Sequence, residues 1–437
     1  MKKFLICLLT VLLALTMFGC SGKEEGGNND NTKPNDNNKK GNELSNVTLE
    51  VAINYTGDSL TAFEKICSAF EAKTGCTIIL DTYGSDYATM MTTRMAANNM
   101  PDVFVTAGWS LRKYKEYSLD LRDEPYCSDY NDSALGVIKD TDGSIYVCML
   151  SCGVNGNVVN LAVCEAAGVD PYAIHTWDDF LDACEKVKEA GFTPIASNPD
   201  AGLTSNLAGT FLTYKNEVAD VGAKLLDGTW DWEEYRYLCK FYQKALQNGY
   251  FFTDARTINT NDMYERFAQG KAAFIIGENT ASIATCYTLN PNGSFAFAPF
   301  YGSQEGGEEA VVVGEGDAFS ISNKSKNIDA AKVFLQYLAT DEVTFKLLDA
   351  TSRISCQLSV MDNDTTPGTV AFRKMQEDYA GHNIGYYNIW DRDYLPSGMF
   401  GILGNAAGKL FANYSDKGID DVIEYCRTNF KRLYTGK

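Results

Sequence analysis

The residues of this chain that are best suited to chemistry are aromatic and polar side chains that follow predicted strands. Tyr55 and Thr56 follow the first strand, Tyr83 follows the second, and Trp109 follows the third. In an open α/β sheet a ligand lies beyond the carboxyl ends of the strands, where such residues meet. Aromatic rings cover apolar faces of a ligand, and hydroxyl groups form hydrogen bonds with its polar atoms. The pattern therefore indicates an edge that binds a polar ligand.

Residues for covalent or metal chemistry are scarce or lack a pattern. The chain has only two histidines, His175 and His382, which leaves little material for a His-rich metal site or for Ser-His-Asp hydrolysis. Their distance in sequence also argues against a transition-metal site. The spacing of Cys148 and Cys152 also suits a soft metal or a disulfide. The 57 Asp and Glu residues are numerous enough that composition does not exclude a carboxylate pair of the kind used by glycoside hydrolases. No segment carries a recognisable catalytic motif, and we expect no enzyme activity, no cofactor and no metal.

Length and charge limit the remaining classes of protein. The chain has 437 residues, of which 45% are hydrophobic and 12% aromatic, enough for packed cores in two or three domains. Its 38 Lys and Arg residues against 57 Asp and Glu give a formal net charge of -19. Because a nucleic-acid binder needs clustered positive charge to neutralise phosphates, we expect no nucleic-acid partner.

The N-terminus predicts export and attachment to a membrane. A positive start, Met1–Lys3, precedes an apolar segment, Phe4–Leu15, that is short for a bilayer span. Cys20, preceded by Gly, resembles the lipobox cysteine of bacterial lipoproteins, which implies a signal peptide over 1–19 and a diacylglyceryl anchor on Cys20. An ordinary secretory signal with an incidental cysteine and an uncleaved anchor are the alternatives, and all three place the rest of the chain outside the cytoplasm. Residues 20–45 are rich in Asn, Gly, Asp and Lys, which predicts a flexible tether.

Alternating elements open the folded part of the chain and predict an α/β sheet. They are a strand over 48–54, a helix over 59–74, a strand over 76–80, a helix over 86–97 and a buried strand over 101–106. Thr176 and Asp179 then form a capping-box pattern in front of another helix. Later predicted elements are a strand over 143–149, a helix over 262–270, strands over 271–276 and 294–299, and a helix over 327–339.

Six short motifs occur in a fixed order along the same chain. They are AFEAKTG at 69–75, NMPDVF at 99–104, TWDDF at 176–180, FAQGKAAF at 267–274, FAFAPF at 295–300 and SNKSKNIDAA at 322–331. Each motif alone is common, but together they cover nearly the whole folded body behind the lipobox and tether. In this order they make the chain resemble the extracellular solute-binding proteins of bacterial ABC importers, the large carbohydrate-binding family that includes maltose-binding protein.

This resemblance implies a two-lobed fold of the periplasmic-binding-protein type II class, an α/β fold with a hinge and a ligand cleft between the lobes. The expected crossovers lie near 135–140, 294–302 and 340–350, so that lobe 1 comprises 46–137 and 301–345 and lobe 2 comprises 138–300 and 346–437. The resemblance also implies a monomer that binds an extracellular sugar or oligosaccharide. Hinge closure then delivers the ligand to the membrane permease subunits of an ABC importer.

The resemblance also implies cleft residues beyond the first three strand ends. Asn155 lies near Gly153, which stands where some relatives have a Glu, and Asn279 stands where the family has a Trp. The expected ligand contacts are Tyr55, Thr56, Tyr83, Trp109, Asn155, Glu278, Asn279, Glu315, Asp317, Trp390, Asp391 and Arg392. In such a set, flat rings cover the apolar face of a pyranose, and carboxylates, amides and Arg392 bind its hydroxyls.

Two alternatives to a sugar carrier stay open on the sequence. The same fold can bind a polyamine, a peptide or an organic acid, since several expected contacts are carboxylates. An extracellular lipoprotein glycoside hydrolase is the alternative from another class of protein.

The 13 cysteines do not predict a disulfide framework. Cys7 leaves with the signal peptide and Cys20 carries the lipid, so an odd number remains that cannot pair completely. Several of the others, among them Cys67, Cys164 and Cys184, lie within helical patterns where a small buried side chain fits. We therefore expect mostly reduced, buried thiols.

Overall fold

The structure, a computed structural model, describes residues 44–106, 111–198, 218–302, 307–314, 316–351, 353–387, 394–396 and 398–435. Its strands are β1 Thr48–Ile53, β2 Thr77–Thr82, β3 Val103–Thr106, β4 Cys148–Met149, β5 Ser151–Asn160, β6 Thr193–Ile195, β7 Ala272–Asn279, β8 Phe295–Ala298, β9 Glu309–Gly314, β10 Ala318–Ile321, β11 Ile354–Ser355 and β12 Ile384–Tyr387.

The helices of the described ranges are α1 Gly57–Thr74, α2 Tyr87–Ala96, α3 Leu111–Tyr114, α4 Asp132–Ile138, α5 Leu161–Ala166, α6 Trp177–Glu189, α7 Val218–Asp227, α8 Arg236–Gln247, α9 Thr260–Ala268, α10 Ala281–Leu289, α11 Ile328–Leu338, α12 Asp341–Thr351, α13 Leu358–Met361, α14 Pro367–Asp378, α15 Met399–Ala412 and α16 Asp416–Thr435. Within these ranges, no helix combines the length and the apolar character needed to cross a membrane.

The strands form two sheets. The first has the order β2-β1-β3-β10-β4, with β1, β2 and β3 parallel and β10 antiparallel to β3 and β4. The second has the order β12-β9-β5-β7-β6, and β8 and β11 also pair with β5. In this sheet β5 runs antiparallel to β7 and β9, whereas β6 is parallel to β7 and β12 is parallel to β9. The predicted α/β fold class is confirmed.

Two passages of the chain between the sheets are short connections, whereas the passage from β10 to β11 contains α11 and α12. Leu150 alone separates β4 of the first sheet from β5 of the second, and residues 315–317 lead from β9 of the second sheet to β10 of the first. These sheet changes lie C-terminal to the predicted crossovers near 135–140 and 294–302. The sequence does not mark the first of them, because no proline, glycine or polar linker separates β4 from β5, whereas Gly316 and its polar neighbours Glu315 and Asp317 stand at the second.

The bounds of the two lobes stay a prediction, but two strands depart from them. β4 joins the first sheet, although 138–300 is expected in lobe 2. β9 pairs with β5 and β12 in the second sheet, although 301–345 is expected in lobe 1. Both β9 and β10 are short and completely buried, so their composition does not indicate which sheet each joins. Backbone pairing with strands that are distant in sequence determines which sheet each of them joins.

The carboxyl ends of the parallel strands meet at these connections in both sheets. In the first sheet, β10 begins beside the end of β3, with Ala318 opposite Thr106. In the second sheet, β5 begins beside the ends of β7 and β9, with Gly153 opposite Gly314. The connections therefore join the two sheet edges at which α/β proteins bind ligands.

Local signals predicted some element ends and missed others. Thr176 and Asp179 form the predicted capping box in front of α6, and Gly75 ends α1 with a φ of 76° that glycine adopts readily. The predicted strand over 143–149 is wrong in length, because only Cys148 and Met149 join the first sheet. β5, the strand with the most neighbours in the second sheet, was not predicted at all.

Aromatic packing holds helices against both sheets. Phe63 of α1 stacks on Phe319 of β10 with ring centroids 5.4 Å apart. Against the second sheet, the ring centroid of Phe180 of α6 lies 5.1 Å from that of Tyr301 and 5.0 Å from that of Phe274 of β7. All five rings are buried, and each contributes about 1.5–3 kcal/mol through the apolar area it removes from water.

The cysteines of the described ranges are buried fillers, as predicted. All eleven carry free thiols, and only Cys127 among them is not buried. Burial raises the pKa of the Cys67, Cys164 and Cys286 thiols to about 12. Such thiols stay protonated at neutral pH and react slowly, because the thiolate is the nucleophile.

We expect about eleven thiols in a chain that starts at Ser21, nearly all hidden in the folded state. The measurement is a thiol titration with a chromogenic disulfide reagent, before and after denaturation in guanidinium without reductant. Denaturation should release the full count. A denatured count that is lower by two, and that is restored by a reductant, would instead reveal a disulfide.

Candidate functional site

Four neighbouring strands of the second sheet carry a row of side chains close to the connections. Asn279 of β7, Asn155 of β5, Val312 of β9 and Tyr387 of β12 are partners in the strand register. Register partners in adjacent strands project from the same face of a sheet. This edge row (Asn279, Asn155, Val312 and Tyr387) therefore presents two amides and a phenol ring together.

The two asparagines of the edge row are held differently. Asn155 is buried, and its Nδ2 donates to the carbonyl oxygen of Val312 at 3.4 Å. Asn279 is half-buried, and its Oδ1 accepts the backbone N–H of Ala281 at 2.9 Å, at the start of α10. No residue of the described ranges accepts a hydrogen bond from Nδ2 of Asn279. That amide nitrogen remains a donor for a ligand.

Tyr387 is a residue that sequence reasoning missed. It is half-buried at the end of β12, and Tyr386 projects from the opposite face because side chains alternate along a strand. The aromatic and polar stretch 386–392 was the available signal, but it could not show which ring joins the edge row. Of the expected contacts, Trp109, Glu315, Trp390, Asp391 and Arg392 lie outside the described residues, as does the expected lipid anchor Cys20.

The side chain of Glu278, on β7, already forms hydrogen bonds with two neighbouring hydroxyl groups. Its Oε2 accepts hydrogen bonds from the hydroxyls of Tyr264 and Ser282, each at 2.8 Å, and so links α9 to α10. Burial raises the pKa of its carboxyl above the usual range. Glu278 precedes Asn279 in the same strand and projects from the opposite face. A direct ligand contact of Glu278 stays a prediction, and the structure gives this side chain a helix-linking role.

Asp317 lies at the centre of a buried polar group on the connections. Its Oδ1 accepts hydrogen bonds from the Tyr55 hydroxyl at 2.5 Å and from Arg353 Nη1 at 3.3 Å, and its Oδ2 accepts one from the Ser151 hydroxyl at 2.5 Å. Asp317 itself has 0% exposure, and the Arg353 side chain has 35%. We call these four residues (Tyr55, Ser151, Asp317 and Arg353) the crossing cluster.

Each member of the crossing cluster comes from a different segment near the sheet connections. Ser151 begins β5, Asp317 precedes β10, Arg353 precedes β11, and Tyr55 follows β1. Burial, reinforced by the Asp317 charge, raises the pKa of the Tyr55 hydroxyl well above its usual range, so this group stays protonated and donates. Tyr55 and Asp317 were expected as ligand contacts; here they bind each other, and contact with a ligand stays a prediction.

The remaining described candidates lie on the first sheet. Thr56 is exposed at the start of α1 and makes no side-chain capping bond. Tyr83 is half-buried; its hydroxyl donates to Asp81 Oδ2 at 3.1 Å and accepts from Arg94 Nη1 at 3.0 Å. Thr56 is accessible to a ligand, whereas the hydroxyl of Tyr83 already belongs to an ion-pair network.

A separate concavity of about 340 Å³ lies where β8 meets α10 and α14. Its lining is mainly apolar, with Tyr287, Phe295 and Val370 among its residues. The polar side chains Lys374 and Asp378 in its lining form an ion pair with each other at 2.7 Å. None of the expected ligand contacts lines this concavity, so it provides a location for control substitutions.

The two histidines are neighbours in the structure. The rings of His175 and His382 lie 4.6 Å apart, and both contact Glu309. The sequence argument against a transition-metal site is therefore wrong in its premise, because it equated separation along the chain with separation in space. Glu309, at the start of β9, was not singled out in the sequence.

The chain matches a protein-family model described as bacterial extracellular solute-binding protein over residues 55–344. This range contains both short connections between the sheets and the edge-row residues Asn155, Asn279 and Val312.

Known proteins resemble the chain over nearly its whole length. It is 26% identical over 450 residues to the melibiose/raffinose/stachyose-binding protein MelE of Bacillus subtilis, covering 99% of this chain and 97% of that protein. The binding protein MsmE of Bacillus subtilis, solved in an open conformation, has a TM-score of 0.77 and 25% identity, over 90% of this chain and 99% of that one. A sugar transporter of Bacillus licheniformis, solved in complex with stachyose, has a TM-score of 0.68 and 24% identity, over 89% of this chain and 100% of that one. The likeness to these two-lobed proteins confirms the expected architecture.

Proposed function

The chain belongs to the bacterial extracellular solute-binding protein family, and we propose that it captures an oligosaccharide between its two sheets for uptake by an ABC importer. Members of this family bind a solute outside the cytoplasm and do not transform it. The observation that carries the proposal is the edge row, which sets two amides and a phenol ring at a sheet edge beside the connections.

The chemistry of the edge row suits a sugar. An amide donates through its NH₂ and accepts through its carbonyl oxygen, so it binds the hydroxyl groups of a pyranose. A phenol ring such as that of Tyr387 covers the apolar C–H face. Trp109, Glu315, Trp390, Asp391 and Arg392 belong to the proposed site as further rings and polar partners.

The named ligands of a relative support a sugar over the other ligand classes. MelE, similar over 99% of this chain, is named for melibiose, raffinose and stachyose. Neither asparagine of the edge row carries a charge, and the charged residues of the proposed site, Glu315, Asp391 and Arg392, are of both signs, so the site has no single charge that would select a cationic polyamine or an anionic acid. We therefore propose an oligosaccharide ligand rather than a polyamine, a peptide or an organic acid.

Delivery of the ligand requires a change of shape. Rotation of one sheet region toward the other about the connections closes the edges over the sugar and excludes water. The permease subunits of the importer then recognise the closed form. We propose that the protein acts as a monomer and that a lipid on Cys20 holds it to the outer face of the cell membrane through the tether 20–45.

The first test is a ligand screen with a variant at the edge row. Raffinose or stachyose at millimolar concentration should raise the melting temperature of the chain by several degrees, since a ligand that binds only the folded state stabilises it. Asn279→Ala should weaken the affinity measured by calorimetry about tenfold, because it removes one hydrogen bond to the sugar.

The matched control is Asn429→Ala on α16, where the amide donates to the carbonyl oxygen of Tyr425 and accepts from Arg432, both on the same helix. It should leave sugar affinity unchanged, as should Lys374→Ala in the separate concavity. If no sugar raises the melting temperature while putrescine or a peptide does, the sugar proposal is wrong. Turnover of nitrophenyl glycosides would favour the hydrolase.

A further inference from the structure

The two histidines of the chain converge on one buried carboxylate. His175 Nδ1 lies 3.2 Å from Oε1 of Glu309, and His382 Nδ1 lies 2.9 Å from the same oxygen. The Glu309 side chain is 5% exposed, whereas His175 is 43% exposed and His382 is 23% exposed. The carboxylate therefore forms the floor of a small polar recess, and the two imidazoles stand between it and the solvent.

The second oxygen of this carboxylate has no partner. Oε2 of Glu309 is buried and accepts no hydrogen bond from any described residue. A buried carboxylate oxygen without a donor costs free energy, and native structures seldom leave one without a partner or an ion. The recess thus combines three donor groups with a buried carboxylate oxygen that has no partner among the described residues.

We propose that His175, Glu309 and His382 bind a divalent transition-metal ion of the zinc class. Two imidazole nitrogens and one carboxylate oxygen form a donor set that open zinc sites use, with the fourth position left to water. The three donor atoms lie within 4.8 Å of one another. Ligand bonds of about 2.0–2.1 Å in a tetrahedron place donor atoms about 3.3 Å apart. The two imidazole nitrogens lie 3.2 Å and 2.9 Å from Oε1 of Glu309, close to that separation. Calcium and magnesium prefer oxygen ligands and fit this set poorly.

The metal site lies away from the proposed sugar site. Glu309 begins β9, and Val312, the edge-row residue of the same strand, comes three residues later, so at about 3.3 Å per residue the two positions are about 10 Å apart and their side chains project from opposite faces of the sheet. A metal at Glu309 therefore goes beyond the sugar proposal and has its own role in the fold.

That role is to tie three distant segments together. His175 precedes α6, Glu309 opens β9, and His382 lies just before β12. β12 is the last strand on its side of the second sheet and pairs only with β9 within the described ranges. A metal bound to His382 pins the start of this strand to the rest of the sheet.

The test is a titration of Zn²⁺ into untagged protein that has been stripped with EDTA. Calorimetry should show one equivalent of zinc per chain, and zinc should raise the melting temperature. Glu309→Gln, His175→Ala and His382→Ala should each weaken zinc binding at least tenfold, since each removes one ligand. The two histidine variants change partly exposed side chains, so they test the site even if Glu309→Gln folds poorly.

Two controls separate this site from other zinc ligands. Cys127→Ser removes the one thiol of the described ranges that is not buried, and Glu308→Gln removes the neighbouring carboxylate; both should bind zinc like the parent chain. Co²⁺ bound at the site should give weak visible bands without a thiolate charge-transfer band. The proposal is overturned if the parent chain binds no zinc, or if all three ligand variants bind zinc as tightly as the parent chain. The sugar-induced shift in melting temperature, measured in EDTA, is independent of either result.

Discussion

Replacing Asp317 with alanine is expected to lower the free energy of unfolding by about 3–5 kcal/mol. Asp317 is fully buried and accepts hydrogen bonds from Tyr55, Ser151 and Arg353. Alanine leaves the two hydroxyls without their acceptor and removes the carboxylate that neutralises the guanidinium. Arg353 is partly exposed and stays hydrated, so most of the loss comes from the buried hydroxyls. Urea denaturation followed by circular dichroism measures the change.

Two further variants isolate the cause of this loss. Tyr55→Phe removes one hydroxyl and should cost about 1–2 kcal/mol, less than the loss of Asp317. Asp421→Ala breaks an exposed pair with Lys417 on α16 and should cost less than about 1 kcal/mol. If Asp317→Ala lowered the free energy of unfolding no more than Asp421→Ala does, the crossing cluster would contribute nothing to stability.

A single methyl group at Gly316 is expected to cost about 3 kcal/mol or more. An added Cβ there would lie 1.8 Å from the carbonyl oxygen of Ser151 and 2.6 Å from the backbone nitrogen of Cys152. These are backbone atoms at the start of β5, so no side-chain rotation relieves the overlap. Gly316→Ala must push apart the two connections between the sheets, and the melting temperature should fall by several degrees.

Replacing a glycine with alanine is expected to stabilise the chain at Gly408, in contrast to Gly316. A Cβ added at Gly408, inside α15, meets no atom within 4 Å, and alanine there should stabilise the chain by about 0.5–1 kcal/mol. Thermal and urea unfolding of both variants give the comparison. Equal stability of Gly316→Ala and Gly408→Ala would mean that the two connections do not pack as closely as the structure shows.

The substitutions at Asp317 and Gly316 also bear on the proposed function. Both residues lie where the sheets are joined, so a shift there changes how the edges approach each other around a ligand. We expect the folded fraction of Gly316→Ala to bind sugar more weakly than the parent chain, although Gly316 belongs to neither the edge row nor the crossing cluster.

The proposed sugar site was only partly predictable from the sequence. Asn155 and Asn279 were expected as contacts, and the strand register places them side by side. Tyr387 was missed, because a run of aromatic residues does not show which ring faces the edge. Tyr55 and Asp317 were expected as ligand contacts, which stays a prediction, and their mutual hydrogen bond could not be read from either segment alone.

By itself, the sequence determined the local features of the fold, such as where helices begin and end. The capping box of Thr176 and Asp179, the glycine end of α1 and the helical spacing of Phe63 and Phe70 depend on residues within a few positions of one another. Because these signals recur in the order of a known family, the sequence was also sufficient for the fold class and for membership of the solute-binding proteins.

Tertiary structure alone decided which distant residues meet. Asp317 bonds to Tyr55 at a separation of 262 positions and to Ser151 at 166 positions, and His382 reaches Glu309 across 73. The sheet that β9 joins and the space available at Gly316 also depend on the order of strands in the whole fold. Hydrogen bonds and packing act over a few ångströms in space whatever the separation along the chain, so only the folded backbone determines these contacts.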